Sequence, residues 1–90
     1  MARTIWKHKL EIRDTQRMHV PRGAIILCVQ MQDSDLCLWV EVDTEQPMEE
    51  RSLEIYGTGH PIHEDLGVER NYIGTTQSGA MVWHVYERIN

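Results

Sequence analysis

The residues best equipped for chemistry in this chain stand together at Tyr56-Gly57-Thr58-Gly59-His60-Pro61, where two glycines, a hydroxyl and an imidazole close a β-like run. Two glycines let the backbone turn sharply and bring amide N–H groups close to a ligand, while Thr58 and His60 add donors beside them. Tyr56 can stack on a planar ring. The chemistry implied is anion capture, with a phosphate as the natural occupant. Gly57-Thr58-Gly59 matches neither the G-x-x-x-x-G-K-[ST] loop nor the dinucleotide fingerprint, and the same glycines also suit a tight turn that needs them only for its dihedrals. Arg22, Arg51 and Arg70 stand beside turns, where their guanidinium forks can reach a phosphate or pair with a surface acid.

Other chemistries find less support. Cys28, Cys37, His60, His63 and His84 carry enough ligand atoms for zinc, but structural zinc takes close pairs such as C-x2-C and H-x3-H. The only close pair is His60-Pro61-Ile62-His63, with no cysteine near it, so no metal site is expected. Both cysteines fall in hydrophobic runs, where a thiol behaves as a small apolar side chain, and no G-x-S-x-G elbow exists. Carboxylates paired for acid/base work are recognised by their geometry and not by spacing, and Asp43 with Glu45, or Glu64 with Asp65, read as loop acids or helix-start charges. No enzyme, catalytic residue or cofactor is expected.

Composition narrows the partners. The chain has 90 residues and a net charge of −5, which opposes approach to double-stranded DNA over a broad face. Acidity of this kind serves solubility, or a decoy surface that occupies a basic groove on another protein. Three tryptophans, three tyrosines and no phenylalanine put polar handles on every large aromatic, so an edge of Trp6, Trp39 and Trp83 is expected near the surface or a partner. A domain this small buries only roughly 60% of its unfolded surface, and self-association would bury more. No run reaches the ~18 apolar residues of a membrane span, and the first nine residues lack an apolar signal core, so a cytoplasmic location with reduced thiols is expected.

The elements that must position these residues read as strands. Ile5 to Ile12 alternates, with Trp6, His8, Leu10 and Ile12 on one side. Thr15 to Val20 follows, broken by Pro21-Arg22-Gly23. Ala24 to Gln32 is the most hydrophobic segment and reads as a central strand, with Ile25, Leu27, Val29 and Met31 on one face. A three-residue loop, Asp33-Ser34-Asp35, returns it to Leu36–Val42; Gln32 then faces Leu36, Cys28 faces Val40, and the two thiols lie on opposite sheet faces. Glu41 to Glu50 reads as an acidic solvated loop, Arg51 to Tyr56 as an edge strand, and Pro61 to Gly67 as one helical turn at most. Asn71 to Gln77 pairs through Ser78-Gly79 with Ala80 to Ile89, whose two large-residue faces fit a central strand or an interface. The expectation is one all-β domain over residues 1–90: an antiparallel sandwich of six or seven strands, or a small open barrel, with at most one short helical turn.

The segments Ile55-Tyr56-Gly57-Thr58-Gly59-His60-Pro61-Ile62, Tyr72-Ile73-Gly74-Thr75 and Gly79-Ala80-Met81-Val82-Trp83-His84-Val85-Tyr86-Glu87 resemble a small family of single-domain proteins encoded by bacteriophages and prophages. Pro21-Arg22-Gly23-Ala24 and Leu27-Cys28-Val29-Gln30-Met31-Gln32 fit the same pattern. The resemblance implies a phage setting and carries no assigned activity. Small phage accessory proteins often block host immunity by sequestering a nucleotide signal or by plugging a defence protein. The function expected is therefore a homo-oligomeric binding protein that captures a cyclic nucleotide or other phosphate-bearing ligand through Arg22, Arg51, Tyr56, Gly57, Thr58, Gly59, His60 and Arg70. The alternatives are an acidic inhibitor of a host defence protein, such as an anti-CRISPR, and a virion or assembly accessory domain.

Overall fold

The computed structural model describes residues 2–62, 64 and 66–89. Seven antiparallel strands form it: β1 (Arg3–Leu10), β2 (Thr15–Pro21), β3 (Ile25–Gln32), β4 (Asp35–Asp43), β5 (Met48–Gly57), β6 (Arg70–Ser78) and β7 (Met81–Arg88). They make two sheets, ordered β1-β4-β3 and β2-β5-β7-β6, which face each other as an open sandwich. Period-two alternation produces this directly. Leu36, Leu38, Val40 and Val42 of β4 turn inward, and all are exposed by 1% or less. Met18, Val20, Leu53, Ile55 and Val85 meet them from the second sheet. Val29 of β3 packs against Gly74 of β6, where a Cβ would come within 2.8 Å of Val29 Cγ1.

Several expectations are corrected. The β3–β4 turn has two residues, with Gln32 paired to Asp35 and Met31 to Leu36, and Asp33 adopts a φ of +56°. Left-handed backbone at that position is what a two-residue hairpin requires, and aspartate tolerates it. The change of register places Cys28 opposite Trp39 and Gln30 opposite Cys37, so the thiols share the outer face of the three-stranded sheet. β3 is an edge strand, with β4 central. A bulge leaves Leu27 unpaired between Ile26 and Cys28, turning Ile26 inward opposite Val40. Ile25 and Leu27 are thereby put on the surface, 50% and 46% exposed, with Ile5 of β1 at 56%. β5 lies in the middle of its sheet and is no edge strand, and the acidic loop shrinks because β4 runs to Asp43 and β5 begins at Met48.

Asp43 closes that loop by accepting the Glu45 N–H at 3.1 Å, and this bond, together with Ala2 and Gln46 contacts, lowers its pKa against the opposing effect of burial. No helix forms among the described residues; His63 and Asp65, part of the expected helical turn, the histidine pair and the acid pair, lie outside them. Trp6 keeps an exposed edge, while Trp39 and Trp83 are half-buried.

Candidate ligand-binding face

Strand order turns three stretches of alternating sequence into a grid on the outer face of the four-stranded sheet. Across β5, β7 and β6, Tyr56 stands beside His84 and Thr75; Glu54 stands beside Tyr86 and Tyr72; Ser52 stands beside Arg88 and Arg70. Successive rows are about 7 Å apart and neighbouring strands about 4.8 Å. A bulge at Ile73 makes the first row possible, because it puts Thr75 on the same face as Tyr72 despite their separation by three positions.

The first row is joined by hydroxyls and one imidazole. Thr58 Oγ1 lies 2.8 Å from His84 Nε2, and Thr75 Oγ1 lies 2.9 Å from His84 Nδ1. Tyr72 O–H meets Thr75 Oγ1 from the next row. The rings form a ladder from the first row into the middle one: Tyr86 packs edge-on against Tyr56 at 5.8 Å and tilted against its row neighbour Tyr72 at 5.3 Å. Glu54 is 4% exposed, and its carboxylate is compensated by Arg70 Nε, by Tyr56 O–H at 2.9 Å and by Arg88 Nη1 at 3.7 Å. Burial, then the Glu54 bond, raises the Tyr56 pKa; the same carboxylate raises that of Arg70.

The glycine turn supports this face from one side. His60 N–H donates to the Gly57 carbonyl at 3.0 Å, and Gly57 N–H donates back to His60 Nδ1 at 3.2 Å. A Cβ on Gly57 would lie 2.8 Å from the imidazole Cε1, and Gly59 has a φ of +89°, so each glycine is required for a different reason. The turn thus spends the Gly57 N–H on its own histidine, and what it offers outward is the Thr58 hydroxyl and the far edge of His60. A cleft of about 530 Å³ opens beside it, lined by Tyr56, His60, Pro61, Arg70 and Arg88 with Asp14 and Thr15. It meets a second cleft of about 850 Å³ at Thr15, Glu54 and Arg88, where Lys9, Arg13 and Arg17 add positive charge against Glu11.

Of the residues expected at the site, Tyr56, Gly57, Thr58, Gly59, His60 and Arg70 gather here, and Arg22 and Arg51 do not. Arg22 follows Pro21, which pairs with Met48, and Met48 and Gly57 are opposite ends of the ten-residue β5, about 30 Å apart. Arg51 points between the sheets, where its guanidinium grips Glu87 through Nε and Nη2 and donates from Nη1 to the Ala24 carbonyl at 2.8 Å. Tyr72, Thr75, His84, Tyr86, Arg88 and Glu54 belong to the face and escape a motif search. Their signal is a shared parity: polar and aromatic residues on the outward positions of three strands, visible only once β5, β7 and β6 are neighbours. Among the described residues, no three of His, Cys, Asp and Glu converge as metal ligands, and no helix is long and apolar enough to cross a membrane.

The family model described as Domain of unknown function (DUF7352) matches residues 1–90. The chain belongs to that family. No curated protein and no solved structure matches it. The family's description assigns it no chemistry.

Proposed function

We propose that this chain is a non-enzymatic phage accessory protein that counters host immunity by binding and sequestering a small phosphate-bearing signal of the cyclic-nucleotide class. The observation that carries the binding is the meeting of Arg70 and Arg88 with Tyr56 and His60 in one cleft. Arg70 engages Glu54 through Nε, so its Nη donors are the ones an anion would meet, and the two guanidiniums share the cleft with the Glu54 and Asp14 carboxylates. The phage setting is supported by the resemblance in sequence, and a location in the cytoplasm of the host follows from that setting. Calorimetry of the intact chain with a panel of cyclic di- and oligonucleotides tests the reading. Binding that weakens at least tenfold in Arg70→Gln, with the melting temperature read alongside, is the expected result; absence of heat with every nucleotide would overturn it.

Self-association belongs to the same proposal. Ile5, Ile25 and Leu27 are exposed apolar side chains on the outer face of the three-stranded sheet, set around the Arg3–Glu41 ion pair, which a second copy would cover. That surface, with the net charge of −5, equally favours the second reading, an acidic inhibitor docked on a host defence protein such as an anti-CRISPR target. Solution mass separates the two: a dimer that becomes monomeric in Leu27→Lys supports self-association, and a wild-type monomer favours the inhibitor.

A further inference from the structure

We infer that the Tyr72 ring and the Thr58-His84-Thr75 row form a nucleobase site, so that the base of the ligand lies on the tyrosine while its phosphate lies at the Arg70-Arg88 row. This rests on the phosphate-binding reading and adds a second half to the site, made of residues that do not line the phosphate cleft.

Tyr72 is 58% exposed although it is held at two points, by its ring contact with Tyr86 and by its hydroxyl at Thr75. An aromatic that is fixed and yet open to solvent is pre-organised for stacking, since little side-chain freedom remains to be lost when a planar ring settles on it. Arg70 and Arg88 stand one row away, about 7 Å along the strands, leaving space for the sugar that separates base from phosphate.

Proton counting in the first row gives it a reading capacity. A neutral imidazole has one N–H and one lone pair, so one threonine accepts from His84 while the other donates to it. When Thr58 donates to Nε2, its remaining lone pairs are left to accept; Thr75 then accepts from Nδ1–H, and whichever of Thr75 and Tyr72 donates to the other, one O–H of that pair is left to donate. The other tautomer exchanges these roles. Either way the exposed row offers a donor beside an acceptor, the pattern that complements the polar edge of a base.

Titrations of the full chain with adenosine 5′-monophosphate, guanosine 5′-monophosphate and ribose 5-phosphate test the inference. At least one nucleotide should bind about 5- to 150-fold more tightly than ribose 5-phosphate. Tyr72→Ala should bring it down to the ribose 5-phosphate level while the chain stays folded, the loss of the Tyr86 contact costing about 1 kcal/mol or about 4–8 °C in melting temperature, and Tyr72→Trp should keep the difference. Equal binding of all three probes, or an unchanged preference in Tyr72→Ala, overturns the nucleobase site and leaves the phosphate cleft standing. Binding of none of them, with no heat from the cyclic nucleotide panel, overturns both.

Discussion

Replacing Arg51 with methionine should damage the fold and spare the ligand face. The guanidinium lies between the sheets, with its side chain 19% exposed, and forms a two-pronged pair with Glu87, whose side chain is 9% exposed. Its third bond, to the Ala24 carbonyl, ties the start of β3 to β5. The Glu87 bond leads the effects that raise the Arg51 pKa, ahead of the opposing cost of burial. Methionine fills much of the same space but leaves the Glu87 carboxylate without its cation. Breaking a buried pair in this way costs about 3–5 kcal/mol, and the residual exposure of Arg51 favours the lower end, about 3 kcal/mol. For a domain of this size that lowers the melting temperature by about 12–24 °C. Thermal unfolding followed by far-UV circular dichroism measures the change. Arg51→Met with Glu87→Leu should recover most of it, since removing both charges removes the desolvated carboxylate, with about 1 kcal/mol still missing for the Ala24 carbonyl. A shift under about 4 °C in the single variant would refute the weight given to the buried pair, and loss of ligand affinity at unchanged stability would show that Arg51 faces a ligand and that its inward placement is wrong.

Gly57→Ala should displace the His60 ring and cost about one hydrogen bond, roughly 1 kcal/mol, or about 4–8 °C in melting temperature; adding His60→Ala should remove the clash, so the second change costs little on top of the first. Gly74→Ala should destabilise by about 1–3 kcal/mol in chemical denaturation because its methyl meets Val29, and Val29→Ala in the same chain should relieve that overpacking at the price of a smaller core side chain. His8, whose pKa is lowered by burial and then by His19, binds a proton more readily in the unfolded chain than in the folded one. Stability should therefore decline as pH falls below the ordinary histidine value of 6.5 and level off above it, and His8→Gln should flatten that slope between pH 7 and 5.5; an unchanged slope assigns it to other groups.

What was legible in the sequence is what alternation controls, and what was not is what one residue of register controls. Leu36 to Val42 announces a strand with a buried face, and the inward set follows without any knowledge of its neighbours. Two residues against three at Asp33-Ser34 were beyond that pattern, because the choice depends on whether Asp33 accepts left-handed backbone. The bulge at Leu27 was equally hidden, and between them the two moved Cys28 to the face of Cys37 and Ile25 and Leu27 to the surface. The site divides in the same way. The glycine turn is local and readable, whereas the face it supports depends on β5 pairing with β7, a strand far along the chain.

Arg51 shows that parity, read consistently, outperforms proximity to a turn. It shares its alternation with Leu53 and Ile55, both buried, and its partner Glu87 shares that of Trp83 and Val85. Opposite charges on two inward-facing sets are far more economical as a mutual pair than as separate ligand contacts, since each would otherwise be desolvated alone. The same rule sends Glu54, Tyr56, Tyr86 and Arg88 outward from those strands. Arg70 and Tyr72 join them across the β6–β7 pairing, and the Ile73 bulge then brings Thr75 into the row beside His84 where strict alternation would have placed Gly74. The irregularity that spoils the sequence pattern is therefore the one that completes the hydroxyl row, which is why the candidate base-reading residues emerge only from the assembled sheet.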